Sequence, residues 1–313
     1  MKPFAFVFPG QGSQAVGMLD AWGDHAEVKR TLDEASAALG EDIGALIKNG
    51  PKEQLDLTTN TQPVMLTAGI ACYRAWIAET GVMPVAAAGH SLGEYAALVA
   101  SGALSLADAL PLVRFRAQAM QEAVPVGTGA MYAILGLDGD AVRAVCLQAA
   151  TESGEVVEAV NFNDPKQTVI AGSKAGAEKA AEMLKAAGAK RALPLSVSAP
   201  FHSSLMKPAA ERLKERLAAT QFGAQAFPVI NNIDVAITAD AAALRDALYR
   251  QAFGPVRWVE VVQALKARGI SHIIECGPGK VLAGMVKRID GELQSATILD
   301  PASLVEAQTL LQS

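Results

Sequence analysis

The amino-acid sequence predicts an α/β fold in which a small subdomain is inserted into a larger α/β body. One observation is an apolar run that ends in Gly-x-Ser-x-Gly at Ser91 and passes into Ala- and Leu-rich sequence, the order of strand, sharp turn and helix. The other is a β-α-β-β-α-β order of segments between residues 127 and 197. With 313 residues, 51% of them hydrophobic and 19% charged, the chain can bury a large core.

The turn around Ser91 has the sequence of a nucleophile elbow. In such a turn the strand and helix backbones nearly touch, so Gly89 and Gly93 stand where a Cβ atom would not fit. The turn exposes the serine hydroxyl at the positive end of a helix, which stabilises developing negative charge. Ser91 is therefore the predicted nucleophile.

The chain opens with the apolar run 4–8, which predicts a buried strand followed by a tight loop. The loop at 10–15 also fits the Gly-x-Gly-x-x-Ala fingerprint of dinucleotide-binding proteins. That fingerprint requires a second strand ending in an acidic residue about 20 positions later. Asp33 and Glu34 instead fall in a helical pattern over about 25–39. The sequence therefore argues against a nucleotide site here.

Helical patterns lie on both sides of the elbow. A polar stretch at 49–63 predicts a loop with short helical pieces, and 64–79 predicts a long apolar helix under the elbow strand. A further helix over about 105–123 carries Arg114 and Arg116. Two residues apart on a helix means about 200° of rotation, so these arginines cannot share a face. We expect one of them to point inward and the other to be solvated.

The insertion is predicted element by element. Its segments are strand 130–135, helix 138–150, strand 156–161, strand 167–172, helix 173–187 and strand 191–197, with a hairpin turn at 163–166. This is the order of a ferredoxin-like module. We expect residues 127–197 to form a small subdomain inserted into a large one made of 1–126 and 198–313. The active site is expected in the cleft between them.

Four histidines are candidates for a general base. His25 lies in a polar helix and His272 in an apolar strand, while His90 adjoins the nucleophile and points away from it. His202 remains, in a loop between the last strand of the insertion and the next helix. We predict His202 as the base, the alternative being a structural or surface histidine. No acidic residue follows a strand of the main body, so a Ser-His dyad and a triad both stay open.

Other patterns exclude several classes of site. The Gly-Pro-Gly-Lys run at 277–280 lacks the upstream glycine and the Ser or Thr of a phosphate-binding loop. The preceding Cys276, like the other two cysteines, has no metal-ligand spacing and is expected to be reduced and buried. No metal site is therefore predicted.

Charge and hydropathy indicate which partners and which cellular location to expect for the protein. The net charge of -5 disfavours general nucleic-acid binding. No apolar run approaches the roughly 20 residues that a membrane span needs, and the first residues lead into a strand-like segment and not a signal peptide. We expect a cytoplasmic protein with neither a nucleic-acid nor a membrane partner.

Eight motifs occur in one order along the chain. They are Gly10–Gln14, Thr61–Pro63, Gly89–Glu94, Arg114–Arg116 with Met120-Gln121, Asn161–Asn163, Phe201–Ser203, Pro255–Trp258 and Glu275–Gly279. This order resembles the malonyl-CoA:acyl carrier protein transacylases of bacterial fatty acid synthesis, over essentially the whole chain. The resemblance implies a hydrolase-like large subdomain with a parallel sheet and a nucleophile elbow, plus an inserted ferredoxin-like subdomain.

The resemblance also implies roles for individual residues. Ser91 would be the acylated nucleophile and His202 its base. The backbone carbonyl of Gln251 would orient the imidazole in place of a carboxylate. The oxyanion hole would be formed by the backbone N–H groups of Gln11 and Leu92. The residue that would hold the malonyl carboxylate is Arg116.

The implied reaction transfers a malonyl group from malonyl-CoA through a malonyl-serine ester to the phosphopantetheine thiol of acyl carrier protein, in ping-pong fashion. No permanently bound cofactor is implied, and a monomer is expected. Basic residues that could meet the acidic carrier are Lys190, Arg191, Lys280, Lys287 and Arg288. Two alternatives stay open. A serine thioesterase or esterase would have no use for a buried arginine, and a non-catalytic carrier-binding module would tolerate loss of Ser91.

Overall fold

The computed structural model describes residues 1–197 and 199–313, which contain two β-sheets flanked by helices. The strands are β1 (Phe4–Phe8), β2 (Ala86–Gly89), β3 (Gly129–Leu135), β4 (Val157–Asp164), β5 (Gln167–Ser173), β6 (Arg191–Pro194), β7 (Val229–Ile230), β8 (His272–Cys276) and β9 (Gln294–Ile298). The first eight helices are α1 (Ala26–Leu39), α2 (Ile43–Asn49), α3 (Lys52–Leu55), α4 (Thr58–Thr80), α5 (Leu92–Ala100), α6 (Leu106–Glu122), α7 (Gly139–Ser153) and α8 (Lys174–Ala186). The others are α9 (Lys207–Ala219), α10 (Ala241–Gln251), α11 (Trp258–Ala267), α12 (Val281–Ile289) and α13 (Pro301–Gln312).

The large sheet is parallel throughout, in the strand order β7-β2-β1-β8-β9. Strand β1 lies at its centre, and every residue of β1 is buried because helices cover both faces. Its three phenylalanines pack on one face, where the Phe6 ring lies 5.8 Å from the ring of Trp76 in α4. Ala5 and Val7 face the other side and pack in the core that contains Trp258 of α11. The predicted parallel sheet is confirmed.

The small sheet is antiparallel, in the order β4-β5-β3-β6, which is the strand order of a ferredoxin-like fold. One face packs against α7 and α8, and the other carries a small cluster of Met131, Val160, Val169 and Ala171 that turns toward Phe201 of the large body. The elements of this unit span residues 129–194, inside the range 127–197 expected for the insertion. Ser198, where the second boundary was placed, lies outside the described residues.

The two units are joined by backbone hydrogen bonds. The N–H of Phe162 in β4 donates to the carbonyl oxygen of Val256 at 2.9 Å, and the N–H of Val256 donates to the carbonyl oxygen of Val160 at 2.8 Å. Arg288 of α12 adds an ion pair with the buried Asp164 at the end of β4, at 2.6 Å. Because β4 is tied to both the 256 segment and α12, residues 161–163 are held against the large body.

Several elements differ from the sequence-based prediction. Helix α4 begins at Thr58, within the stretch predicted as a loop with short helical pieces. The polar side chains near its start pair with distant residues, Thr58 with Gln11 and Gln62 with Arg116, so their polarity does not indicate a loop. Strand β6 ends at Pro194, three residues before the predicted end. The short β7 and the half-exposed edge strand β9 were not predicted, since neither shows the apolar periodicity of a strand.

The long apolar helix α4 is a core element. Its 23 residues are mostly buried beneath the large sheet. In the described part of the chain, no helix combines the length and the apolar character needed to cross a membrane.

Candidate active site

Ser91 lies in the sharp turn between β2 and α5, at the carboxyl edge of the large sheet. A Cβ atom at Gly89 would lie 1.9 Å from the carbonyl carbon of Gly93, and one at Gly93 would lie 2.0 Å from the carbonyl oxygen of Phe8. The two glycines are therefore required by the close approach of strand, turn and helix, as predicted. Ser91 itself has a φ of 52°, a conformation that a residue with a side chain seldom adopts.

The hydroxyl of Ser91 is hydrogen-bonded to a buried imidazole. Ser91 Oγ lies 2.7 Å from Nε2 of His202, and Nδ1 of His202 lies 2.9 Å from the backbone carbonyl oxygen of Gln251. A carbonyl oxygen only accepts, so Nδ1 carries the proton and Nε2 is free to accept from the serine. Burial, reinforced by the nearby positive charge of Arg116, lowers the pKa of His202 to about 3. The imidazole is thus a neutral base, oriented by a carbonyl group where a triad would use a carboxylate.

The other histidines lie apart from the serine hydroxyl. The ring of His90 points to the small sheet, with Nε2 2.8 Å from Oδ1 of Asn163. His25 caps the first turn of α1, where it accepts a hydrogen bond from the backbone of Glu27. His272 is buried in β8, its Nδ1 2.8 Å from the hydroxyl of Ser271.

Arg116 of α6 points inward and is buried, with a relative exposure of 2% for the whole residue. It donates to Oε1 of Gln62 at 2.7 Å, to Oε1 of Gln251 at 3.0 Å and to Oγ of Ser91 at 3.1 Å. Its Nε has no hydrogen-bond partner among the described residues. Burial lowers the pKa of Arg116 because it disfavours the charged form, and the nearby Tyr95 and Glu94 oppose this shift.

Arg114 has the opposite environment. It forms a two-pronged ion pair with Glu41, at 2.7 and 3.0 Å, on the outside of the helix. As expected, one of the two arginines points inward and the other outward. The inward one, which faces Ser91, is Arg116.

Two backbone N–H groups are available beside the nucleophile. Leu92 is the first residue of α5 and Gln11 lies in the loop after β1, and both line the same cavity as Ser91. Neither backbone N–H donates a hydrogen bond within the described residues. A Cβ atom at Gly10 would lie 2.7 Å from the carbonyl oxygen of His90, so glycine allows this loop to approach the elbow. The N–H of Ser91 is already donated to Oδ1 of Asn232 at 2.8 Å.

These groups surround a cavity of about 140 Å³ between the two units. The large body contributes the polar residues named above together with Met120 and Phe201. The small unit contributes Met131, Leu195 and Val197, and Asn161 as its one polar lining residue in the described part of the chain. A mostly apolar pocket with a few convergent polar groups is the usual form of a ligand site.

Sequence reasoning missed three polar residues of this site. Asn232 follows β7, a strand too short to be predicted, although an Asn-Asn pair after an apolar run was a usable signal. Gln62 and Glu94 lie in two of the eight motifs, but no role was predicted for either. Glu94 is buried, and burial raises the pKa of its carboxyl group to about 7.

Cys276 is as predicted a buried thiol, with Sγ 3.6 Å from the carbonyl oxygen of Gly69, and burial raises its pKa well above the usual value. All three cysteines are free and buried. None of them is a nucleophile at neutral pH, because the thiolate is the reactive form.

Comparison with known proteins gives concordant matches. The family model described as "Acyl transferase domain" matches residues 5–300. The malonyl CoA-acyl carrier protein transacylase of Salmonella typhimurium is 52% identical over 310 residues, which cover 99% of this chain and 100% of the relative.

Solved structures are equally similar. The acyl-carrier-protein S-malonyltransferase of Burkholderia pseudomallei superposes with a TM-score of 0.96 at 66% identity, covering 99% of this chain and 100% of that one. A malonyl-transacylase solved in complex with its type II PKS acyl-carrier protein gives a TM-score of 0.96 at 49% identity, with 99% and 100% coverage.

Proposed function

Since this chain belongs to the acyl transferase family, we propose that it transfers a malonyl group from malonyl-CoA to acyl carrier protein in fatty acid synthesis. The observation that carries the proposal is a buried guanidinium group 3.1 Å from a serine hydroxyl that is itself paired with a neutral imidazole. The serine and the imidazole are the groups needed for acyl transfer, and the guanidinium group would select an acyl group that ends in a carboxylate.

In the first half-reaction, Ser91 Oγ attacks the thioester carbonyl carbon while its proton passes to Nε2 of His202. The carbonyl oxygen becomes an oxyanion, and the N–H groups of Gln11 and Leu92 would donate to it. The carbon–sulfur bond then breaks, and the CoA thiol leaves with the proton from His202. The product is a malonyl ester of Ser91.

In the second half-reaction, the phosphopantetheine thiol of the carrier protein gives its proton to His202 and attacks the ester. The carbon–oxygen bond breaks, the proton returns to Ser91, and malonyl-carrier protein leaves. The same groups act in both directions, which is why a single serine and a single base are sufficient for a ping-pong transfer.

Arg116 would bind the free carboxylate of the malonyl group. Its Nη2 donates to Oγ of Ser91, so the guanidinium faces the atom to which the acyl group would be attached. A planar fork of donors binds a carboxylate through two parallel hydrogen bonds, which also orients the acyl carbonyl. The two amide oxygens of Gln62 and Gln251 hold the guanidinium without neutralising it.

The two alternatives fit the site less well. A thioesterase would share the elbow and the base, but a buried cation beside the nucleophile has no task in the hydrolysis of neutral acyl groups. A non-catalytic binding module would have no need for a buried, correctly protonated base at 2.7 Å from the serine.

We extend the proposal to the remaining features of the protein. Residues 127–197 would act as the inserted subdomain that covers the cavity. The protein would work in the cytoplasm as a monomer, and malonyl-CoA and acyl carrier protein would be its substrate and its partner. The chemistry above uses only side chains and backbone groups of this chain, so a permanently bound cofactor would not be required.

The test is to mix the purified protein with malonyl-CoA and to measure its mass and the mass of the peptide that contains Ser91. We expect a stoichiometric malonyl adduct on that peptide, and its loss when the holo carrier protein is added. The Ser91→Ala variant is the matched control and should acquire no adduct. Release of free malonate at the rate of turnover, with no malonyl-carrier formed, would favour the thioesterase and overturn the proposal.

A further inference from the structure

Glu94 is a buried carboxyl group of the site that touches neither the nucleophilic oxygen nor the base. It lies in the first turn of α5 with a relative exposure of 2%. Its Oε2 accepts two hydrogen bonds, one from the backbone N–H of Asn232 at 2.8 Å and one from Nε2 of Gln251 at 2.9 Å. It forms no ion pair within the described residues. These two hydrogen bonds are what makes its burial tolerable.

Gln251 connects this carboxyl group to the rest of the site. Its backbone carbonyl orients His202, while its side-chain Nε2 donates to Oε2 of Glu94 and to the backbone oxygen of Ser91 at 3.0 Å. Its side-chain Oε1 accepts from Nη2 of Arg116 at 3.0 Å. The two ends of this amide are not interchangeable. A rotated amide would place its NH₂ group against the guanidinium and its oxygen against two acceptors.

The acceptor that fixes the amide is Glu94. The other acceptor, the backbone oxygen of Ser91, lies slightly farther from Gln251 Nε2, at 3.0 Å against 2.9 Å for Glu94, and a neutral carbonyl is a weaker acceptor than a carboxylate. We propose that Glu94 is a positioning residue for malonyl selectivity, whose carboxyl oxygen orients the Gln251 amide so that the amide holds the Arg116 guanidinium beside Ser91. This proposal rests on the function proposed above.

The second hydrogen bond of Glu94 leads to the nucleophile itself. Asn232, held by its backbone N–H, accepts from the N–H of Ser91 at 2.8 Å and donates to the carbonyl oxygen of Gly89 at 2.7 Å. This branch supports the elbow and would affect every acyl group equally. The branch through Gln251 reaches Arg116 as well as the backbone oxygen of Ser91, so it would affect acyl groups that carry a carboxylate more strongly than those that do not. The two branches are therefore separable by substrate.

The experiment compares kcat/KM for malonyl-CoA and acetyl-CoA, measured as acyl-enzyme formation. Glu94→Leu removes the acceptor at similar volume, Glu94→Gln keeps an acceptor oxygen, and Gln251→Met removes the amide but leaves the backbone carbonyl for His202. We expect Glu94→Leu and Gln251→Met each to lower the malonyl-to-acetyl ratio about tenfold. Glu94→Gln should keep the ratio within about twofold of the wild type, because the amide then still has its acceptor.

The double variant Glu94→Leu/Gln251→Met shows whether the two residues act as one unit. Its ratio should fall no further than that of either single variant, since the same interaction is lost. Asn232→Ala is the control for the elbow branch and should slow both substrates in parallel. If Glu94→Leu also slows both in parallel, or if the two single effects add in the double variant, the proposal is overturned.

A variant that does not fold, or a wild type that lacks the proposed function, can be distinguished from a failure of this proposal. Should Glu94→Leu not fold, an unchanged ratio in Gln251→Met, which retains Glu94, overturns the proposal by itself, and a lowered ratio supports it. Absence of a malonyl adduct on the wild type would reject the proposed function instead.

Discussion

The two residues that carry the proposed chemistry both have unusual backbone conformations. Ser91 has a φ of 52° and His202 a φ of 66°, and Val235 is the one other non-glycine residue with positive φ in the described part of the chain. Such conformations persist where the surrounding structure enforces them, and they occur most often at functional sites. Here Asn232 holds the N–H of Ser91, and the backbone oxygen of Gln251 holds the ring of His202. Backbone strain and hydrogen bonding together aim these two side chains at each other.

Replacement of Arg116 tests the function at the level of one side chain. Arg116→Ala should lower kcat/KM for malonyl-CoA by about 30- to 4000-fold, because loss of one partner of a buried charge pair costs about 2–5 kcal/mol. Acetyl-CoA carries no carboxylate and should lose far less. The ratio of the two specificity constants is the measurement.

Arg114→Ala is the matched control for that experiment. It removes an arginine from the same helix, but one whose partner is Glu41 on the surface. We expect the malonyl-to-acetyl ratio of this variant to equal that of the wild type. If the ratio changed in Arg114→Ala and not in Arg116→Ala, the malonyl carboxylate would be bound by Arg114, and the role proposed for Arg116 would be rejected.

The low pKa of His202 predicts how stability depends on pH. Its pKa is about 3 in the folded protein, against about 6.5 for an unperturbed histidine. Below the unperturbed value the unfolded chain binds a proton that the folded chain does not, so folding loses free energy as the pH falls. Above it, both states are neutral and the residue contributes no pH dependence.

We therefore expect the wild type to lose about 2 kcal/mol of unfolding free energy, relative to His202→Gln, between about pH 8 and about pH 5. Denaturant unfolding of both proteins at several pH values is the measurement. The difference between them cancels the other groups that titrate in this range, including Glu94 and Glu275. Parallel pH profiles would mean that His202 titrates normally in the folded state.

Among the elements, the unit of strand β2, elbow and helix α5 is the one that leaves least room for change. It is apolar and buried, and its glycines lie where two backbones are in contact. The loop after β1 approaches the same turn, and its Gln11 lines the cavity. Three chain segments are therefore in contact here, and the proposed oxyanion hole depends on the distances between them.

Gly93→Ala should disrupt the contact between the backbones of these segments. The added methyl group would lie 2.0 Å from the backbone oxygen of Phe8, so β1 and α5 must separate. We expect a loss of about 3 kcal/mol or more in unfolding free energy, together with loss of acylation. Urea unfolding and the malonyl adduct are the two readouts.

Gly44→Ala is the control in helix α2. There the new methyl group would make two ordinary van der Waals contacts, with a side-chain oxygen of Asp42 at 3.5 Å and with Cβ of Leu32 at 4.0 Å. Alanine is the better helix former, so stability should be unchanged or rise by up to about 1 kcal/mol. Equal effects at the two glycines would mean that the elbow is more adaptable than its geometry indicates.

At the scale of the whole molecule, the site is assembled by the contact between the two units. The small sheet covers the cavity with the face opposite its own helices, and β4 is tied to residue 256 by backbone hydrogen bonds. Both units carry basic residues, and all five are exposed: Lys190, Arg191, Lys280, Lys287 and Arg288. Arg288 is also ion-paired with the buried Asp164, so it links the two units and is less available for docking.

Charge reversal at Lys287 tests docking of the acidic carrier. Lys287→Glu should raise KM for the carrier protein about three- to tenfold at low salt and leave KM for malonyl-CoA nearly unchanged, because surface charges act mainly on association. Lys29→Glu, on helix α1, which does not line the cavity, is the matched control. An equal effect of both variants would indicate a general charge effect and not a docking site.

The elements with strong local signals could be predicted from the sequence. The elbow, the β-α-β-β-α-β order and the buried β1 were all predicted, since glycine spacing and apolar periodicity are properties of neighbouring residues. The prediction of Ser91 as the nucleophile came from that spacing together with the strand before it and the helix after it. The prediction of His202 came from exclusion of the other histidines and from its loop context. The predicted roles of Gln11, Leu92, Gln251 and Arg116 came from resemblance and not from any local pattern.

The contacts between side chains that are distant along the chain could not be predicted and are seen in the folded protein. Glu94, Asn232 and Gln251 are separated by up to 157 residues, yet they form one hydrogen-bonded network. Nothing in their neighbours along the chain encodes that contact, because it arises from the packing of β7 and α10 beside the elbow. The same is true of the inward turn of Arg116. A helix presents several faces, and which face is buried depends on what lies against it.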